Sequence, residues 1–410
     1  MKKDVIVIGA GASGIIAAIK AASEGAKVML LDGNNKVGKK LYATGNGRCN
    51  FTNLNMEKNC FRSDSGDEFY KVIDAFNENE VISFFYRMGI NHKDRNGYVY
   101  PTNDQAASVV AAFENALRHF NVSVKLNERC ENISFPGDCI RIKTPEGEYK
   151  ADSVVIACGL KAYPNMGSDG NLFPVLKRIG YRFEEVTPAL VPLIYKHKFL
   201  SKAAGVRCNG RITLYIDGEY VCADTGELQF NKTNISGIPT FQVSRYASKA
   251  IYEEKKVSVK LDLYPFSNRK DFIKELLDKK KILGYESVTD VLNGMLNNKL
   301  TDVILKTSGT RGEREFGEFS QADIDKIADV IKNFEVTVTD TAGFDAAQVC
   351  AGGIKLSEID LNTMESKRHK GLFFCGEILD VDGICGGYNL QWAWSGGYLA
   401  GMNAACKGDI

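Results

Sequence analysis

At 410 residues the chain is too long for one simple core and, at about 150 residues per domain, divides into roughly two to three units. Hydrophobic residues at 44% and charged residues at 25% exclude disordered and fibrous classes. With 52 basic and 51 acidic residues the net charge is +1, so no long-range field favours nucleic acid or an anionic membrane and a small-molecule partner is expected; composition leaves the oligomeric state open.

Met1-Lys2-Lys3 followed by the apolar run Val5 to Ile19 imitates a secretory leader, but Asp4 enters early and Gly9, Gly11 and Gly14 would break a targeting helix. No stretch approaches the ~20 apolar residues of a membrane span, so the expectation is a cytoplasmic protein. Val5-Ile6-Val7-Ile8 is a β-branched run of the kind buried on both faces of a parallel sheet. Ser13 to Ser23 predicts a helix stopping at Gly25, and Ala26 to Leu31 a second buried strand ending at Asp32, which completes a βαβ unit. Asp67 to Met88 predicts helix, Gly97 to Pro101 a short strand, and Thr102 a cap for a helix over about Gln105 to His119. Strands follow at Val122–Leu126, Ile140–Ile142 and Val154–Ile156, and helix alternates with strand to about residue 190.

The pattern then changes. Arg211 to Ile216, the Asp217-Gly218 turn and Glu219 to Cys222 predict a hairpin, and Val257, Val259, Leu261 and Leu263 alternate as in antiparallel β structure. Arg269 to Phe334 carries amphipathic helical segments around Phe272–Leu276, Val288–Leu296 and Ile324–Ile331. After Val336-Thr337-Val338 the α/β style returns, ending in a helix over Asn389 to Ala405. The expected fold class is α/β: a discontinuous Rossmann-like domain over 1–189 and 341–410, interrupted by a β domain over 190–266 and a small helical domain over 267–340.

Gly9-Ala10-Gly11-Ala12-Ser13-Gly14 follows a buried strand and opens a helix, the context a dinucleotide fingerprint requires. Gly9 permits the tight turn, Gly11 lets backbone approach a pyrophosphate, and Gly14 lets helix and strand pack closely. The helix start supplies free N–H donors and a positive dipole end, and Asp32, roughly 20 residues on, offers a carboxylate to ribose hydroxyls. Thr44-Gly45-Asn46-Gly47-Arg48-Cys49-Asn50 is a glycine-punctuated polar loop able to set amides and side chains against a polar ring. Near the C-terminus, Gly376-Glu377, Asp380, Asp382 and Gly386-Gly387-Tyr388-Asn389 lead into a second anion-receptive helix start. Trp392 and Trp394 are read as core residues. No second GxGxxG follows a later strand, so a nicotinamide donor would dock transiently or use the insertion.

The 11 cysteines form no Cys-x-x-Cys pair and the four histidines lie at no mutual helical or hairpin spacing, so neither a disulfide framework nor a metal site is expected. Cys49 and Cys385 lie in the two glycine loops but are read as small packing residues.

These segments resemble the YhiN/BaiN-type NAD(P)/FAD-dependent oxidoreductases, also called the aminoacetone-oxidase family of FAD-binding enzymes. The likeness spans nearly the whole chain. It rests on the N-terminal glycine turn, on Gly38-Lys39-Lys40-Leu41 with the Thr44–Asn50 loop, and on Pro164-Asn165-Met166-Gly167-Ser168-Asp169-Gly170. It continues through Gly226–Phe230, Ile235-Ser236-Gly237-Ile238-Pro239, Thr363–Lys367, Gly376–Gly383 and Gly386–Trp392. The resemblance implies a Rossmann-like FAD domain interrupted by a barrel-like β insertion and a small helical domain. It implies FAD contacts at Gly9, Gly11, Ala12, Ser13, Gly14, Asp32, Gly33, Lys40, the Thr44, Gly45, Asn46, Gly47, Arg48, Cys49 and Asn50 loop, and Cys130 by its backbone. Ala157, Gly376, Glu377, Asp382, Gly387, Tyr388, Asn389 and Leu390 complete that set. The chain departs from the family pattern in having Asp32 for Glu, Cys158-Gly159-Leu160 for a double glycine, and Asn231-Lys232-Thr233-Asn234 for a threonine-glycine pattern. The first keeps the charge on a shorter arm; the other two leave the substrate open.

The activity expected from the resemblance is reduction of FAD by NAD(P)H, a transient donor, followed by hydride transfer from flavin N5 to an activated C=C of a steroid-like or bile-acid-like enone. Arg48 and Tyr388 are the candidates for polarising the carbonyl and supplying the proton. An amine oxidase of the aminoacetone type, and a non-catalytic flavin redox sensor or RNA-associated flavoprotein, are the alternatives.

Overall fold

In the computed structural model the apolar side chains of Val5 to Ile8 are almost wholly buried because the strand Lys3–Ile8 lies inside a parallel sheet, between Val28–Leu31 and Gly147–Ile156. The structure describes residues 3–406; Met1 and Lys2 of the leader-like start lie outside them. Ser123–Lys125 extends the sheet beyond Val28–Leu31, and Leu372–Phe374 pairs in parallel with Val154–Ile156 on the other side. The last strand of the parallel core therefore comes from a segment more than 200 residues after its neighbour and restores the α/β layer expected there.

The helix Ala12–Ser23 packs directly on the C-terminal helix Tyr388–Ala405. Two glycines one turn apart make this approach possible. A Cβ on Gly397 would lie 2.3 Å from Ser13 O, and one on Gly401 2.3 Å from Ala17 O. Trp392 and Trp394 are buried in this layer, as the sequence implies, and their indole N–H groups donate to Gly376 O (3.1 Å) and Phe51 O (2.8 Å).

The expected single helix over 67–88 is two, Tyr70–Ala75 and Glu78–Arg87. Asn77 interrupts it, accepting from Asn79 N and Glu80 N while Glu80 accepts from Asn77 N, a capping box. Thr102 caps nothing: Asn103 Oδ1 accepts from Gln105 N and Ser108 Oγ ahead of the helix Ala106–His119.

The chain divides into two compact units, residues 1–186 with 348–410, and residues 187–347. In the second, six strands close a barrel in the order Leu193–Lys196, Asn234–Ser236, Glu219–Phe230, Arg207–Ile216, Val257–Asp262 and Phe334–Thr341. Phe334–Thr341 corrects the expected helical stretch to residue 340. Phe334, Val336 and Val338 are buried while Glu335, Thr337 and Thr339 are exposed, the period of a strand with one face in the core. The expected β region 190–266 also contains the helix Ile238–Tyr252, capped by Gly237 at φ +105° with Pro239 in its first turn. The barrel and the helices Arg269–Ile282, Val288–Asn293, Asn298–Ser308 and Gln321–Lys332 share one apolar cluster, in which Phe272, Leu276, Leu292 and Ile327 join Val259, Leu261 and Phe334. Residues 190–266 and 267–340 thus do not have separate cores. Among the described residues no helix is long and apolar enough to cross a membrane.

Candidate functional site

The first strand ends in a turn whose three glycines serve different ends. At Gly9, φ is +109° and a Cβ would lie 2.4 Å from Ala157 O; at Gly14 a Cβ would lie 1.8 Å from Gly9 O. Both glycines are demanded by the protein's own backbone. At Gly11 a Cβ would meet nothing within 4 Å, so internal packing does not require a glycine there, whereas close approach of a ligand would. The helix that follows has no side-chain cap and no acid in its first turn, so its N–H donors and positive end are open to an anion.

Asp32 closes the second strand beside this turn. Its Oδ2 accepts from Ala10 N (2.6 Å) and its Oδ1 from Asn34 N (2.7 Å) and Asn34 Nδ2 (2.8 Å). The carboxylate expected at the ribose thus holds the glycine turn itself. Gly33 lies against Arg129, where a Cβ would come 3.5 Å from Arg129 Cβ. Cys130 is buried, its thiol pushed up to about 12 by that burial, and its carbonyl accepts from Asn171 Nδ2 (3.0 Å).

Residues from the far end of the sequence meet this turn. Gly376, at φ +77°, would place a Cβ 2.4 Å from Ser13 Oγ. Glu377 receives Lys40 Nζ at 3.3 Å and Cys350 N at 2.9 Å, so the cation of one loop is held by the carboxylate of another. Asn53 Nδ2 donates to Gly386 O (2.8 Å), and a Cβ on Gly387, at φ +95°, would lie 2.5 Å from Thr52 O. The C-terminal helix begins there without a side-chain cap or an acid in its first turn. The helix Ala12–Ser23 begins in the same way.

The loop after Leu41 adopts left-handed backbone at Gly45, Asn46, Gly47 and Cys49, a density of strained residues that accompanies functional loops. Thr44 Oγ1 donates to Leu41 O (2.6 Å), and Arg48 Nε donates to Gly45 O (3.3 Å) with its guanidinium over the Tyr100 ring at 5.5 Å. Cys49 is fully buried, and burial pushes its thiol up to about 12, so it is a packing residue and no thiolate nucleophile. Asn50 Oδ1 is buried without a hydrogen-bond partner. A buried amide oxygen in that state calls for a donor, and the N–H of a flavin ring is one.

The structure therefore brings together Gly9, Ser13, Ala157 and Gly376, pairs Lys40 with Glu377, and sets the strand after Asn50 against Gly386 and Gly387. Leu390 is half-buried in the first turn of the last helix. Other expected residues face inward. The Tyr388 hydroxyl donates to Asn55 O (3.0 Å) and its ring packs edge-on to Phe61 at 5.7 Å, with burial and then the neighbouring Cys60 raising its pKa. Asn389 Oδ1 accepts from Gly383 N and its Nδ2 donates to Gly383 O, both at 2.8 Å, fastening the helix start to the Asp382–Gly383 strand. Asp382 is buried in that strand, backbone-paired with Arg62.

Sequence reasoning missed one position, Asn34, and the role of another, Asp380. Asn34 sits between Asp32 and Lys39, whose Nζ bridges Asn34 Oδ1 (3.1 Å) and Asn165 O (2.9 Å); the Asp-x-Asn spacing is an Asx-turn signal that reveals it. The buried Asp380 accepts through Oδ2 from Ser63 Oγ (3.1 Å), Asp64 N (2.9 Å), Ser65 N (2.8 Å) and Ser65 Oγ (2.7 Å), and no local pattern announces that role.

The family described as HI0933-like protein Rossmann domain matches residues 3–403. The chain is 40% identical, over 97% of its length and 98% of the relative's, to a 3-dehydro-bile acid delta(4,6)-reductase of Clostridium scindens. It is 26% identical, over 97% of each chain, to a ribosomal RNA dihydrouridine synthase of Haemophilus influenzae. In fold it resembles the 3-ketosteroid delta1-dehydrogenase of Sterolibacterium denitrificans, with a TM-score of 0.51 at 13% identity over 98% of this chain and 99% of that one.

Proposed function

The chain belongs to the HI0933-like Rossmann-domain family, and from that membership we propose an FAD-dependent oxidoreductase that saturates a C=C bond conjugated to a carbonyl in a steroid-like or bile-acid-like small molecule. The observation that carries the cofactor assignment is Gly11, a glycine with no packing reason to be one, at the open start of a helix. The substrate class is supported by the full-length relative that reduces delta(4,6) bonds of a 3-dehydro bile acid. Bound FAD would supply hydride transfer from NADH or NADPH to the alkene.

The chain's own residues have distinct tasks. The Gly9–Gly14 turn and the N–H groups of the first helix hold the pyrophosphate. Asp32 keeps that turn in shape by accepting the Ala10 N–H, and Asn50 Oδ1, without a partner, would accept an N–H from the ring. The uncapped start of the C-terminal helix would stabilise negative charge on the cofactor, and Lys40 is kept in place by Glu377. Arg48, held by Nε to Gly45 O and by its stack on Tyr100, with the Asp104 carboxylate near enough to feel its charge, would turn its terminal N–H groups to the substrate carbonyl. Tyr388 positions the helix start instead of delivering a proton, because its hydroxyl is buried and donating to Asn55 O. Water supplies the proton that completes the addition.

Reduction of uridine in RNA is the second reading, supported by the dihydrouridine synthase relative; uracil too has a C=C conjugated to a carbonyl. The balanced charge and the higher identity to the bile-acid reductase place it second. The test is anaerobic reduction of the yellow protein with NADH or NADPH, followed by a 3-oxo-Δ4 steroid or an RNA transcript, with a separate arm in which the oxidised protein, without nicotinamide, meets an amine and oxygen. Rapid reoxidation by the enone, slowed at least tenfold in Arg48→Ala, is expected. Reoxidation by RNA alone would establish the second reading, peroxide with an amine would establish an oxidase, and protein that cannot be loaded with FAD would overturn all of these.

A further inference from the structure

The second unit carries a cavity of about 290 Å³ whose lining includes Arg211, Lys260, Arg269 and Lys332 against the single acid Asp262. These cations are not equivalent. Lys332, buried, donates to Tyr264 O (2.8 Å) and Ser267 O (2.5 Å) and pairs with Asp262 at 2.6 Å, so it is a structural strut. Arg269 is held by Asp329 at 2.5 Å and lies 3.9 Å from Asp325. Among the described residues, Arg211 and Lys260 have no acid within ion-pair distance. Lys260 instead lies 4.8 Å over the Tyr215 ring, and Glu335, its cross-strand neighbour, makes no ion pair with it. Two uncompensated positive charges thus face one concave lining.

Two further donors converge there. The helix Arg269–Ile282 begins at the lining; Asn268 Oδ1 caps it by accepting from Asp271 N while Asn268 Nδ2 donates to the Asp271 carboxylate, which leaves the backbone N–H groups of Arg269 and Lys270 as donors. The hydroxyl of Ser267, also in the lining, is buried without a hydrogen-bond partner. A guanidinium and an ammonium without acid partners, two backbone N–H groups of a first helical turn and an unpaired hydroxyl are the complement of a compact, doubly charged oxyanion.

We propose that this cavity, on the barrel wall of the second unit, is a binding site for a phosphate monoester. Its volume lies at the low end for ligand pockets, room for a phosphorylated sugar or a mononucleotide and not for a whole dinucleotide. The site stands independently of the flavin assignment.

The test uses the full chain loaded with FAD, so that the pyrophosphate cradle is filled, and isothermal titration with 2′,5′-ADP, inorganic phosphate, adenosine and a short single-stranded RNA. The expected result is binding of 2′,5′-ADP, silence with adenosine, and at least a tenfold loss of affinity in Arg211→Ala and Lys260→Ala, with Arg211→Lys retaining most of it. Phosphate binding as tightly as 2′,5′-ADP would support the site and identify the free ion as its occupant. Absence of binding by both phosphate ligands at millimolar concentration, or affinity unchanged by the substitutions in variants that melt like the parent, would overturn the proposal. RNA binding far more tightly than 2′,5′-ADP and losing affinity in the same variants would overturn it in favour of a nucleic-acid surface.

Discussion

Gly11 and Gly14 belong to one sequence pattern, yet the structure separates their reasons. Gly14→Ala forces a Cβ to within 1.8 Å of Gly9 O, and overpacking of this kind costs about 1–3 kcal/mol, so its thermal midpoint falls with or without flavin. Gly11→Ala meets no protein atom; its apoprotein should melt like the parent while flavin affinity drops at least tenfold, measured by flavin fluorescence. Equal destabilisation of both apoproteins would remove the ligand argument from Gly11. The fingerprint was legible in the sequence because glycine, strand and helix signals are local. The hydrogen bonds of Asp32 to the turn and of Tyr388 to Asn55 O were not, because they depend on side-chain direction across loops distant in sequence. The buried cysteines also predict a pH dependence. Burial raises the thiols of Cys49 and Cys375 from 9.0 to about 12. The unfolded chain therefore ionises first: the stability from these groups is full below pH 9 and is lost as pH rises toward 12. Urea midpoints at pH 8 and pH 10 should differ in that direction.

Among elements, the C-terminal helix is the most revealing. The sequence places its start within one residue, and Gly397-x-x-x-Gly401 stands in plain view, but only its packing on Ala12–Ser23 shows why those positions carry no side chain. Gly401→Ala would set a Cβ 2.3 Å from Ala17 O and push apart two helices whose starts both belong to the proposed cofactor cradle. A lower melting temperature together with faster flavin release is expected; loss of one without the other would uncouple packing from binding. Less legible elements have identifiable causes. The helix Ile238–Tyr252 presents the Gly-x-Pro of a helix start, but its β-rich surroundings mask it. Phe334–Thr341 alternates like a strand, yet nothing local tells that it closes the barrel and does not resume the parallel sheet.

At the scale of the molecule, residues 187–347 have a closed barrel and a hydrophobic cluster of their own. Expressed alone, this segment should unfold in one cooperative thermal transition with matching near- and far-ultraviolet circular dichroism; a broad, non-cooperative melt would show that it depends on the remainder. The alternating patterns made two styles of structure visible in the sequence, but they did not show that the insertion's strands and helices fill one core. Pattern reports which face is apolar and not which apolar faces meet.

The pairing of Leu372–Phe374 with Val154–Ile156 also sets an order of events during protein synthesis. The ribosome must add roughly 200 residues between these strands, which takes on the order of 10–40 s at about 5–20 residues per second. During that interval the edge of Val154–Ile156 has no partner and the first helix lacks its cover. The inserted barrel, complete by residue 341, leaves the exit tunnel before the strand that shields this edge, so the first half of the chain waits, open to chaperones and to other nascent chains, for the second to finish it.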